Sequence, residues 1–242
     1  MDLIEFIYES NKTNTQEELL SLFLKFLNNF GMKRFLMAEL SHDSTSTKEK
    51  NFGVLFNYPQ EWVDHYISNH YVDYDPVYQT GLISRKPFTW EDVKNTNNIS
   101  KKSLQIMEEA KECKLFSGVG ISIHQPLGRI IGMALAGDDT GARCDKNAIS
   151  LMYAASNQFF TVYSDLMDLN KDSTKDISLT NREHEVLLWL ARGKTKSDIS
   201  DILSVSESTV KRYCESVFYK LDANNTPLAV FKALRMGLIK PF

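Results

Sequence analysis

Residues 179–221 read LTNREHEVLLWLARGKTKSDISDILSVSESTVKRYCESVFYKL, and this stretch decides the architecture of the second half of the chain. Thr180 is a natural N-cap with Glu183 three residues on, the arrangement in which side chain and backbone satisfy each other at a helix start. Val186, Leu187, Leu190 and Ala191 then form an apolar stripe that Gly193 ends. Thr195 caps a short second helix with Ile199, Ile202 and Leu203 inward. Ser204-Val205-Ser206 turns the chain, and Ser206 caps a third helix that buries Val210, Cys214, Val217, Phe218 and Leu221. Ala229, Val230, Ala233 and Leu234 mark a fourth. The expected helices are 180–191, 196–203, 207–221 and 226–237.

Two short helices joined by a tight turn and braced by flanking helices make a helix-turn-helix, whose second helix fits a DNA major groove. Its outward residues are Glu207, Ser208, Lys211, Arg212 and Glu215. Lysine and arginine can reach guanine edges or phosphates, and Ser206, Thr209 and the helix N-terminus can hold phosphate oxygens. Lys194, Lys196 and Lys220 could add backbone contacts. The pattern alone equally allows a four-helix packing unit with a solvated charged face. Net charge is −3 over the 242 residues, but residues 176–242 carry ten basic and eight acidic side chains, a local +2.

Upstream, the polar stretch SDLMDLNKDSTKD reads as a boundary, with a solvated linker over 168–176. It divides a domain at 1–167 from one at 177–242. In the first, helices are expected at 15–30 after a Thr15 cap, from Pro59 to about Asn69, at 101–113 and at 145–167. Strands are expected at 34–40, 52–57, 118–124 and 129–136, the last two joined by a turn at Pro126-Leu127-Gly128. The fold class is α+β: an N-terminal α-β-α sandwich followed by an all-α four-helix unit. Tyr58, Trp62 and Tyr66 recur every fourth residue on the helix opened by Pro59, followed by Asp75-Pro76 and Phe88-Thr89-Trp90. Such aromatic groups suit a pocket for a small amphiphile, yet also ordinary core packing, and Asp75 could equally be a cap before Pro76.

The 179–221 stretch, with Ala229-Val230 and Gly237-Leu238-Ile239, resembles the LuxR-type DNA-binding domain throughout its length. Tyr213 stands where such domains often have His, Asp198-Ile199-Ser200 where Glu-Ile-Ala is typical, and Asn225-Thr226 where Asn-Arg is usual. The first half, through NYPQEWVDHYISNHYVDYDPV, PFTW and LFSGVGISIHQPLG, is similar to the autoinducer-binding domain of LuxR-type quorum sensors. The resemblance implies an acyl-homoserine lactone as signal ligand and no cofactor. It implies that Trp62 donates to the lactone carbonyl, Asp75 accepts from the amide N–H, and Tyr58 approaches the amide carbonyl. Tyr66 would pack on the acyl chain, Trp90 would wall the lactone ring, and Gly118 would keep a strand close to the pocket. Ala134-Leu135 lies where the family often has a ligand-facing Ser or Thr.

The implied protein is a cytoplasmic, homodimeric transcriptional regulator of quorum sensing, an activator by family habit. Its expected partners are double-stranded DNA at a two-fold symmetric site, the lactone, a second copy of itself and RNA polymerase. The long helix at 145–167 offers Ile149, Met152, Phe159, Tyr163 and Leu166 as a stripe for dimerisation or for packing on its own sheet. The alternative is a ligand-independent regulator whose first domain serves only to dimerise or answers a different signal. No nucleophile–base pair, metal-ligand cluster or glycine-rich phosphate loop points to an enzyme. No phospho-acceptor Asp ends an early strand, as a receiver domain would need. The acidic N-terminus does not suit a signal peptide, no segment suits a membrane span, and Cys113, Cys144 and Cys214 read as scattered free thiols.

Overall fold

The computed structural model describes residues 1–40, 55–96, 99–125, 129–138, 141–167 and 178–240. The turn expected at 126–128, the first residues of the 52–57 strand and the linker at 168–176 lie outside them. The chain separates into two compact units, Met1–Leu169 and Asn170–Phe242.

The first unit contains α1 (Leu3–Ser10), α2 (Gln16–Leu27), β1 (Met32–Glu39), β2 (Leu55–Phe56), α3 (Gln60–Ser68) and α4 (Pro76–Ile83). It continues through β3 (Phe88–Thr89), α5 (Trp90–Lys94), α6 (Lys101–Glu112), β4 (Ser117–His124), β5 (Ile130–Gly137) and α7 (Lys146–Leu166). The strands form one antiparallel sheet in the order β2-β1-β5-β4-β3. Thr15 caps α2 by accepting from the Glu18 N–H, and Gly31 stops the chain after it at φ +72°. The sequence pass missed α1, which Asp2 caps, and the short elements α4, β3 and α5. Each of these four is eight residues or fewer, shorter than the roughly 11–18 residues over which helical periodicity is read.

Strand alternation gives the sheet two unlike faces. Phe35, Met37, Val119, Ile121, Ile131, Met133 and Leu135 point to one side. There they meet α1, α2 and α7 around Phe6, Phe23 and Phe159, with Phe23 stacked on Phe159 at 4.5 Å. This is the main core. Met152, Phe159 and Tyr163 are consumed by it, at 0–2% exposure, so most of the stripe expected for dimerisation packs on its own sheet instead. The opposite face carries Gly118, Gly120, Ser122, Gly132, Ala134 and Ala136, and α3 to α6 cover it.

The second unit contains α8 (Asn181–Ala191), α9 (Lys196–Leu203), α10 (Glu207–Lys220) and α11 (Thr226–Arg235). The expected capping box of Thr180 with Glu183 forms, and the expected Thr195 cap proves to be a second box, with Asp198. Ser204 makes the α9–α10 turn at φ +52°, and Ser206 caps α10 through the Thr209 N–H. Val186, Leu190, Ile199, Val210 and Cys214 join the first three helices, while Leu187, Val217, Ala229 and Ala233 seat α11.

Candidate functional site

Side chains as small as glycine, alanine and serine leave the second sheet face unfilled. The helices that cover it therefore cannot collapse onto it, and a cavity of about 780 Å³ remains. A Cβ on Gly118 would come within 2.4 Å of Trp90, and one on Gly120 within 2.3 Å of Phe88, so both rings lie directly on the sheet backbone. Tyr58, Trp62, Tyr66, Asp75 and Trp90, the five residues singled out in the sequence, all line this one cavity. Tyr58 is not on α3 as its spacing suggested. It precedes the Pro59 cap but still turns inward.

Asp75 caps α4, accepting from the Val77 N–H at 2.8 Å through one carboxylate oxygen. The other accepts from the Tyr66 hydroxyl at 2.9 Å. The two readings of Asp75 are thus compatible: it is a cap and it lines the pocket. Burial raises its pKa despite the opposing hydrogen bonds from Tyr66, Val77 and Tyr78. Burial, followed by the nearby Asp75 charge, also raises the Tyr58 and Tyr66 hydroxyls, which remain protonated donors. Tyr58 reaches the Ala134 carbonyl at 3.4 Å, a long bond that leaves its donor weakly committed. Trp62 packs edge-on to Tyr66 with ring centroids 5.8 Å apart. The Trp90 indole N–H is buried with no partner among the described residues.

Leu40, Tyr71, Tyr78, Gly81, Met107 and Ser122 also line the cavity, and no sequence motif singles them out. The strand around Ala134 is indeed apolar, but the neighbouring strand supplies the Ser122 hydroxyl, which donates to the Gly81 carbonyl at 2.7 Å. One signal was available: small residues at alternate positions in GVGISIH and IIGMALA identify a single sheet face bare of side chains. Behind the wall, Glu109 of α6 accepts from Tyr71 at 2.5 Å and contacts His65 of α3 at 2.8 Å.

In the second unit, Ser208, Lys211, Arg212 and Glu215 lie exposed along α10, and Lys196 is half-buried at the start of α9. Lys211 and Glu215 approach only to 4.0 Å, a loose pairing that does not hold the lysine. Ser206 and Thr209 share a hydroxyl contact at 2.8 Å at the N-terminus of α10. Lys220 differs from the other basic residues. It points inward, 2.6 Å from Glu183 and 2.9 Å from the Ser178 carbonyl. Glu183, 4% exposed, also accepts from Ser216 at 2.6 Å and from the Thr180 N–H at 2.7 Å. Burial pushes its pKa up, but Lys220, Ser216 and Thr180 outweigh this and hold it down at about 2. Asn225 caps α11 through the Leu228 N–H. Among the described residues no helix is long and apolar enough to cross a membrane, and no side-chain cluster could hold a metal.

Residues 15–160 match the family model of an autoinducer binding domain, and residues 177–233 match that of bacterial regulatory proteins of the luxR family. The transcriptional activator protein AnoR of Acinetobacter nosocomialis is 30% identical over 240 residues, covering 93% of this chain and 98% of that protein. The transcriptional activator protein LuxR of Aliivibrio fischeri is 29% identical over 201 residues, covering 80% and 78%. The crystal structure of Escherichia coli SdiA superposes with a TM-score of 0.72 at 22% identity, covering 99% of this chain and 98% of that one.

Proposed function

The chain belongs to the LuxR family of transcriptional regulators, with an autoinducer-binding domain and a helix-turn-helix and no enzymatic role, and on that premise we propose that it is a cytoplasmic, lactone-responsive activator that binds DNA as a homodimer. The observation that carries the ligand half is an apolar cavity holding an enclosed carboxylate, Asp75, already oriented by Tyr66 and Val77 beside Trp62. An acyl-homoserine lactone offers what those groups lack. Its amide N–H gives Asp75 a donor, its lactone carbonyl accepts from Trp62, and its amide carbonyl accepts from Tyr58. Trp90 walls the ring, and Tyr66 both holds Asp75 and packs along the acyl chain.

We assign 1–167 to ligand binding and dimerisation, 168–176 to the linker and 177–242 to DNA. Ligand that binds only the folded form stabilises it by mass action, so occupancy controls how much competent regulator exists. Self-association uses the outer layer of α1 and α7, where Ile4, Tyr8 and Leu151 stay in solvent at 79%, 64% and 39% exposure. Two copies present two α10 helices to a two-fold symmetric promoter site, with RNA polymerase as the downstream partner. Lys211 and Arg212 read base edges or phosphates, flanked by Ser208 and Glu215, while Lys196, Ser206 and Thr209 contact the backbone. Lys220 is left out of this set because Glu183 already holds it.

The test is the full chain with and without a panel of lactones, read by thermal shift and by promoter binding. The expected result is a lactone-dependent rise in both, with promoter binding alone falling tenfold or more in Arg212→Ala. Unchanged melting and unchanged DNA affinity with every lactone would leave the ligand-independent regulator as the surviving reading.

A further inference from the structure

The strand register divides the cavity floor into rows. Arg34, Ala136 and Gly118 pair across the sheet in the first row, Leu36, Ala134 and Gly120 in the second, and Ala38, Gly132 and Ser122 in the third. Successive rows are about 6.6 Å apart, two residues along each strand. Trp90 lies on the first row at Gly118, and Phe88 and the Tyr58 hydroxyl engage the second at Gly120 and Ala134. Groups suited to a polar head therefore sit over the first two rows. The third has a different occupant. A Cβ on Gly132 would meet Leu40 Cδ1 at 2.6 Å and Cγ at 2.7 Å, so the Leu40 side chain fills the hollow that Gly132 leaves.

The roof gives an independent measure. Helix α4 begins at its Asp75 cap, and six residues later Gly81 stands over the third row. There a Cβ would lie 3.0 Å from Leu40 Cδ1 and 3.4 Å from Ser122 Oγ, and the Gly81 carbonyl accepts from Ser122. Six residues of helix rise about 9 Å. Leu40 is thus wedged between a glycine below and a glycine above, about one α4 length beyond the carboxylate. The Tyr78 hydroxyl fixes the Leu40 backbone by donating to its carbonyl at 3.0 Å.

We propose that Leu40, seated between Gly132 and Gly81, is the end-stop that sets the acyl-chain length this cavity accepts. The inference rests on the lactone reading above. With the ligand amide at Asp75, a distance of about 9 Å accommodates roughly seven bonds of extended chain, so an acyl group of about eight carbons just reaches Leu40. Shorter chains leave a gap before Leu40. Longer ones press on Leu40, which already sits against both Gly132 and Gly81.

Two substitutions move the stop in opposite directions. Leu40→Ala empties the hollow over Gly132 and lengthens the chamber. Gly132→Ala drives the Leu40 side chain toward the ligand and shortens it. Burying a methylene strengthens binding about fourfold, so each change of register has a readable size. Affinities of butanoyl, hexanoyl, octanoyl, decanoyl and dodecanoyl homoserine lactone would be measured on the full-length chain by titration, with soluble yield on expression in each lactone as a second readout. The wild type is expected to peak near octanoyl. Leu40→Ala should improve dodecanoyl relative to octanoyl by tenfold or more, and Gly132→Ala should weaken octanoyl relative to butanoyl by a similar factor. Binding by butanoyl lactone in each variant certifies that it folds. If the lactones bind but both variants keep the wild-type profile, or weaken all lengths equally, the end-stop is overturned while the lactone reading survives. If no length binds the wild type, the lactone reading itself fails and the end-stop with it.

Discussion

Asp75 and Glu183 are both carboxylates enclosed by protein, one in each unit, and their environments push them in opposite directions. Asp75 receives hydrogen bonds from Tyr66, Val77 and Tyr78, yet burial still dominates and raises its pKa. No cation is among the causes acting on it. Glu183 has the Lys220 ammonium at 2.6 Å, the Ser216 hydroxyl and its own cap, and its pKa falls to about 2. A carboxylate whose fold over-satisfies it is a structural element. One whose fold leaves it under-compensated at the edge of a cavity stays available to a donor that arrives from outside. The difference separates a carboxylate whose charge the fold compensates from one whose charge it does not, although both are also helix-start groups.

The largest test removes the satisfied carboxylate. Glu183→Ala removes the carboxylate partner of Lys220 and the return half of the α8 capping box, and should lower the stability of the second unit by about 3 kcal/mol. Promoter binding should fail on warming, while lactone binding is preserved. The pH dependence has a definite sign. A depressed carboxylate stabilises the fold above its unfolded value, near ~4.3, and loses that contribution as pH falls toward about 2. Acid unfolding of the second unit should therefore shift to higher pH and lose amplitude in the variant, followed by circular dichroism across that range.

The next test inverts the comparison. A raised carboxyl favours folding only while protonated, and that contribution is lost as pH rises through its elevated pKa. Asp75→Asn should consequently leave ligand-free melting at neutral pH unchanged or higher, while weakening lactone binding about thirtyfold through loss of a ~2 kcal/mol charge-assisted bond. A variant that melts earlier and binds lactone normally would make Asp75 a cap and nothing more. The smallest effect isolates one of Glu183's donors. Ser216→Ala should cost about 1 kcal/mol in the second unit without touching ligand affinity. A neutral result there would show that Lys220 alone compensates the charge.

The two units differ in the same way in how far sequence reading reaches. In the second, Thr180, Thr195 and Ser206 cap their helices as expected, through contacts with Glu183, Asp198 and Thr209 three residues on. The partners of Glu183 escaped notice, because Ser216 and Lys220 lie 33 and 37 residues away, and Ile202, read as inward, is 43% exposed. In the first, Tyr58, Trp62, Tyr66, Asp75 and Trp90 converge on one cavity, a grouping that resemblance indicated and periodicity alone left open. The stripe on α7 left two readings open because the positions that face a sheet and those that face a partner share one helical period. Met152, Phe159 and Tyr163 went to the nearer surface.

What the sequence determined by itself was whatever depends on near neighbours: caps, stops, the turn at Ser204, and the order of elements around the two units. Those follow from backbone donors and side chains a few residues apart, whose geometry hardly varies between proteins. The tertiary structure alone decided which small residues of β4 and β5 pair across the sheet, that the helices above them cannot close the gap, and that Leu40 fills the far hollow. These depend on register between strands and on volumes contributed by segments far apart in the chain. No local period encodes them; they exist only once packing has brought the segments together.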